Sequence, residues 1–106
     1  MKNLNIAAMM KQAQMMQSRM QEVQDEVGQK TVEASAGGGM VNVTANGKGE
    51  ILSIKLDPKA VTDGDVEMLE DLVLAAVNEA HRRAEEMMKS ALSRICLLYT
   101  SPSPRD

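Results

Sequence analysis

Aromatic residues are almost absent from this 106-residue chain: it has no Phe, no Trp and a single Tyr, at Tyr99. Cysteine is as scarce, with Cys96 alone. Residues 1–95 hold neither an aromatic nor a Cys. Disulfide and thiol chemistry are excluded from that stretch, which suits a reducing compartment. No uncharged run approaches the roughly eighteen apolar residues of a membrane span, so the chain is expected not to cross a bilayer. Its start, Met1-Lys2-Asn3-Leu4, leads into Gln- and Met-rich sequence rather than a signal peptide, and a cytoplasmic location is expected. An excess of positive charge is also missing: 12 basic residues face 15 acidic ones, for a net charge of -3. That balance excludes a strongly cationic nucleic-acid glue. The only His, His81, has no Cys near it in sequence to build a His/Cys metal site. No Ser lies in a G-x-S-x-G setting, and the carboxylates gather where a helix would begin. No enzyme, metal or cofactor is expected.

Without aromatics, a core must be built from Val, Ile, Leu, Ala and Met. Small domains already bury a modest share of their surface, so burial against a second copy is the natural remedy. From Leu4 to Val27, apolar residues recur at Ile6, Met9, Ala13, Met16, Met20, Val23 and Val27. That alternation of three and four predicts one long helix with a heptad seam. Gly28 follows where a C-cap glycine belongs. Then the period changes to two. Val32, Ala34 and Ala36 predict a strand over 31–36, and Val41, Val43 and Ala45 a second over 40–46. Leu52, Ile54 and Leu56 predict the apolar line of a third. Gly37-Gly38-Gly39 and Asn46-Gly47 supply the turns, the latter pair being the strongest hairpin signal in the chain. Asp57-Pro58 ends the third strand, and a connector follows. A second long helix is predicted from about Asp65, with an acidic start that suits the helix dipole. Its apolar line is Leu69, Val73, Ala76, Ala80, Ala84, Met87 and Ala91.

The text changes at Cys96. Residues 96–106 resemble the read-through translation of a transposase-type sequencing adapter. They are set apart as a non-native, disordered tail, and the domain is taken as 1–95.

Gly37-Gly38-Gly39 and Gly47-Lys48-Gly49 lack Walker spacing and lead into no helix, so hairpin turns account for them. Met9, Met10, Met15, Met16 and Met20 form a stripe wider than one partner helix needs, which opens a second reading as a protein-interaction scaffold. The basic residues of the helices are the candidates for phosphate contact. Against that, Glu79–Arg83, Arg82–Glu86 and Glu85–Lys89 stand four apart and can pair within the helix.

Several longer runs are more specific. They are Met10-Lys11-Gln12-Ala13-Gln14-Met15-Met16-Gln17, Gly-Gly-Gly-Met-Val-Asn-Val-Thr-Ala-Asn-Gly over 37–47, Ile54-Lys55-Leu56-Asp57-Pro58, Glu67-Met68-Leu69-Glu70-Asp71-Leu72-Val73 and Ala75-Ala76-Val77-Asn78-Glu79-Ala80. On these the chain resembles the YbaB/EbfC family of bacterial nucleoid-associated proteins over nearly all of residues 1–95. The resemblance implies an α+β protomer of order α-β-β-β-α, paired as a tweezer-like homodimer. It implies double-stranded DNA as partner, a place in the nucleoid, effects on nucleoid organisation and gene regulation, and a role beside recombination or replication proteins. The DNA-contact role extends to Lys11 and Arg19 on the first helix, and to Arg82, Arg83 and Lys89 on the second. In the scaffold reading the Met-rich helices would instead hold a replication or recombination partner.

Overall fold

The computed structural model describes residues 2–62 and 65–99. Its elements are α1 (Lys2–Gly28), β1 (Thr31–Ala36), β2 (Val41–Asn46), β3 (Ile51–Leu56), α2 (Pro58–Thr62) and α3 (Val66–Tyr99). The strands form one antiparallel sheet in the order β1-β2-β3. This is the α-β-β-β-α arrangement that the alternating periods imply, with one short helix added. Asp57 and Pro58 build that helix: the Asp57 carboxylate accepts from the Lys59 amide at 2.9 Å, and Pro58 occupies the first helical position. Asp65 caps α3 in the same way, its carboxylate accepting from the Glu67 amide at 2.9 Å.

The core is as small as the composition requires. Ala76 and Ala80 of α3 pack on Ala34, Val41, Val43 and Ala45 of the sheet, and Val41 and Val43 are the largest side chains fully enclosed. The alanines let the helix lie close to the strands. α3 packs on β1 and β2. Ile54 and Leu56, which pair with Val43 and Val41, therefore stay exposed along β3.

The apolar line expected for β3 is displaced. Thr44 pairs with Ser53 but Ala45 pairs with Ile51, so Leu52 is an extra residue in a β-bulge. Ile51 packs against the core in its place, and Leu52 is 55% exposed.

Two glycines also act otherwise than expected. Gly28 is the last residue of α1 yet does not have the left-handed backbone of a C-cap glycine. A Cβ there would lie 2.8 Å from Cε of Lys48, so the absent side chain makes room for the lysine stem. Gly47 does not have positive φ either; in its hairpin that conformation belongs to Gly49, at +90°. The turn is closed by the Gly49 amide donating to the Asn46 carbonyl at 2.9 Å, while the Asn46 side-chain oxygen accepts from the Lys48 and Glu50 amides. Gly47 is buried against the end of α1, where a Cβ would collide with the Val27 carbonyl oxygen.

At about 1.5 Å per residue, α1 and α3 are rods of roughly 40 and 50 Å. Covering along the seam of α1 is graded. Val27 is buried, Val23, Met20 and Met16 are half-buried, and Ala13, Met9 and Ile6 are exposed. The radius of gyration is 20.7 Å, where a compact chain of this length has about 13 Å. The molecule extends over 75 × 30 × 17 Å. The α3 backbone continues through residues 96–99; the rest of the expected tail, 100–106, lies outside the described residues.

Candidate nucleic-acid interface

The five basic residues named above divide by what they touch. Lys11 and Arg19 border a shallow groove on α1, with Ser18 and Glu22 between and beside them. Arg19 donates to the Glu22 carboxylate at 3.1 Å, one turn on, with both side chains more than half exposed. Lys11 makes no ion pair among the described residues.

On α3 the two arginines share one carboxylate. Arg82 donates to both oxygens of Glu79, at 3.0 and 2.6 Å, and to Glu86 at 2.9 Å. Arg83 donates to Glu79 at 2.9 Å and, from Nη1, to the backbone carbonyl of Glu33 on β1 at 2.5 Å. Arg83 thus ties α3 to the neighbouring strand. Of the three intrahelical pairs the spacing allows, Glu79–Arg83 and Arg82–Glu86 form. Glu85–Lys89 does not, so Lys89 has no carboxylate partner within 4 Å among the described residues. It lies instead on a cleft shared with Lys48, a residue that the sequence pattern places only on a hairpin turn.

Hydrogen bonds from Arg82, then from Arg83, hold the Glu79 carboxyl well below its ordinary 4.5, at about 2. The pairing also pushes the Arg82 guanidinium above its ordinary value. A depressed carboxyl stabilises the fold above its unfolded pKa and loses that contribution as pH falls towards its folded pKa. The Glu79 contribution should therefore persist through neutral pH and fade between about 4.5 and about 2. Side-chain carbon NMR of Glu79 against pH checks this; a midpoint near 4.5 would mean that the two guanidinium contacts are not kept in solution.

Among the described residues no group of three or more His, Cys, Asp or Glu is placed to hold a metal, and no helix is long and apolar enough to cross a membrane. What the helices present is a set of exposed cations on two long rods, some already bonded to carboxylates and some free. Such cations bind phosphate oxygens.

Comparison with known proteins agrees with that chemistry. The model of the YbaB/EbfC DNA-binding family matches residues 1–97. The chain is 57% identical over 91 residues to a nucleoid-associated protein of Thermoanaerobacter pseudethanolicus, covering 86% of this chain and 82% of that one. It is 50% identical over 91 residues to a nucleoid-associated protein of Pelotomaculum thermopropionicum, covering 86% and 87%. The crystal structure of an uncharacterized protein from Helicobacter pylori shares the fold, with a TM-score of 0.70 at 23% identity over 79% of this chain and 88% of that one.

Proposed function

The chain belongs to the YbaB/EbfC DNA-binding family, and on that premise we propose that it is a nucleoid-associated protein that binds double-stranded DNA as a homodimer. The family match over residues 1–97 carries this reading. Geometry supports it through Lys11 and Lys89, cations on the two long helices that no carboxylate neutralises among the described residues. Arg19 and Arg82 are bonded to exposed carboxylates, and solvent-screened pairs of this kind exchange partners readily. Arg83 has more to give up, since its bond to the Glu33 carbonyl crosses from α3 to the sheet. The proposed contact set remains Lys11, Arg19, Arg82, Arg83 and Lys89, with the two lysines contributing most. The native domain is proposed as 1–95, and organisation of the nucleoid and regulation of genes follow from DNA binding. A place beside recombination or replication proteins belongs to the same proposal. The scaffold alternative gains no support from the family match.

The homodimer rests on uncovered apolar surface. Ile54, Leu56, Val66 and Leu74 are all exposed in the protomer, and a groove of about 470 Å³ runs among Leu56, Val66, Leu69, Val73, Leu74 and Val77, with Glu70 its one charged lining residue. β3 is also a sheet edge, with backbone groups open to pairing.

Gel shifts across a salt series, with random and defined duplexes, test the function. Log affinity should fall linearly with log salt, at a slope of about -0.9 per phosphate contact. Lys11→Ala with Arg19→Ala should flatten that slope by about 1 per lost contact and weaken all sequences alike. Helix content should hold, since Ala is the stronger helix former. Absence of any shift at low salt would refute the reading.

A further inference from the structure

Where the β2–β3 turn meets α3, a cleft of about 660 Å³ opens between Lys48 on one side and His81, Glu85 and Lys89 on the other. The three α3 residues stand four apart, so they share one helix face. We propose that this cleft is a phosphate-binding site, with Lys48 and Lys89 as its cationic arms, His81 as a further donor, and a backbone phosphate of duplex DNA as its ligand. The identity of the ligand rests on the proposed function; the oxyanion chemistry of the cleft does not.

Four observations carry it. First, neither lysine forms an ion pair among the described residues, whereas Arg19, Arg82 and Arg83 all do. Free ammonium groups give up no protein partner on binding. Second, Lys48 is placed rather than loose. Its stem passes so close over Gly28 that a Cβ there would lie 2.8 Å from Cε and 3.2 Å from Cγ. The backbone beneath it is fixed by the Asn46 side chain, which accepts from the Lys48 amide at 2.9 Å and the Glu50 amide at 3.0 Å. A lysine held in this way loses less rotamer freedom when it binds. Third, those turn amides, with that of Gly49, are already engaged, so an anion here is held by side chains and not by a backbone nest. Fourth, Met88 and Leu92 also line the cleft and supply no competing acceptor.

Glu85 is the one acidic residue among those that line the cleft, and it makes the inference sharp. A carboxylate near a bound phosphate repels it, by about 1 kcal/mol at 4 Å in water. Removing a lysine and removing this glutamate should therefore act in opposite directions. A merely structural role for the residues predicts no such sign pattern.

Lys48→Gln keeps the Cγ and Cδ part of the stem that lies over Gly28 while deleting the charge. It should lower duplex affinity several-fold on every sequence and flatten the salt slope by about 1 per contact. Lys48→Arg should restore both. Glu85→Gln should tighten binding by roughly fivefold, the counterpart of the repulsion above. A second arm titrates the wild-type protein with inorganic phosphate and with duplex, following the His81 ring by proton–carbon NMR. Movement of the ring with both supports the site and its duplex ligand. If the ring moves with phosphate but no duplex binds, the DNA-binding function falls and the cleft takes free phosphate. If duplex binds wild type and Lys48→Gln with equal affinity and slope, the site is overturned while DNA binding stands. A ring that moves with neither ligand also overturns it.

Discussion

Gly47→Ala is expected to lower the melting temperature by about 15 °C, the largest single-residue effect on stability anticipated for this fold. The added Cβ would meet the Val27 carbonyl head on, with the carbonyl carbon at 2.6 Å and Cγ1 of Val27 at 2.9 Å. Two of these are backbone atoms at the end of α1 and cannot swing aside as a side-chain tip can. The same carbonyl accepts from the Lys30 amide at 3.0 Å, so a shift there also breaks the link into β1. Overpacking of this kind costs about 3 kcal/mol, and each kcal/mol is worth about 5 °C in a domain near 100 residues. Gly38→Ala is the control. Nothing lies within 4 Å of its Cβ position, but its φ is +65°, so only the left-handed strain of about 1 kcal/mol applies. Calorimetry on both variants separates collision from backbone strain. Equal losses for the two would contradict a tight contact between turn and helix.

Leu74→Glu should dissociate the proposed homodimer and cut duplex affinity by about 100-fold. Leu74 is 60% exposed in the protomer, so the substitution takes little from the internal core. In the proposed interface it would set a carboxylate among Leu56, Val66, Val73 and Val77, beside that of Glu70 and with no cation among the residues lining the groove. Two linked protomers bind a duplex with an effective concentration that separated ones lack, which is why the loss in affinity is large. Sedimentation at low micromolar protein should give twice the 11.5 kDa protomer for the unsubstituted chain and a single protomer for the variant. Leu74→Met should behave as the unsubstituted chain. An unsubstituted chain that sediments at 11.5 kDa refutes the dimer outright.

Local chemistry was legible in the sequence, and close approach between distant segments was not. The alternation of Val32, Ala34 and Ala36, then Val41, Val43 and Ala45, marks one buried face, and the strands lie where that alternation runs. The seam from Met16 to Val27 and the Ala76–Ala80–Ala84 line are legible for the same reason: periodicity reports which face is covered. The bulge at Leu52 is different. Ile51 and Leu52 are both large and apolar, so nothing in the pair says which faces the core, and pairing with β2 decides it. The short helix at Pro58–Thr62 has its Asp-Pro cap in plain view, but five residues are too few to show a period. Gly28 and Gly47 were read for conformational freedom, the usual reason for glycine, whereas both make room for a neighbour remote in sequence. The interface divides along the same line. Intrahelical pairs of Arg82 and Arg83 follow from spacing, but the bond from Arg83 to the Glu33 carbonyl spans fifty positions and follows only from the packing of α3 on β1.

The meeting of Gly47 with the end of α1 has a mechanical consequence. It anchors one end of a long rod. α1 is about 40 Å long, held against α3 through its near half and exposed over its far half. A bend of about 10° where the held half ends would sweep the tip of the roughly 20 Å far half through about 3.5 Å. The reach of that tip is therefore set by how firmly the near half is seated. The least forgiving contact of that seat lies at its very end, and there the chain carries no side chain at all.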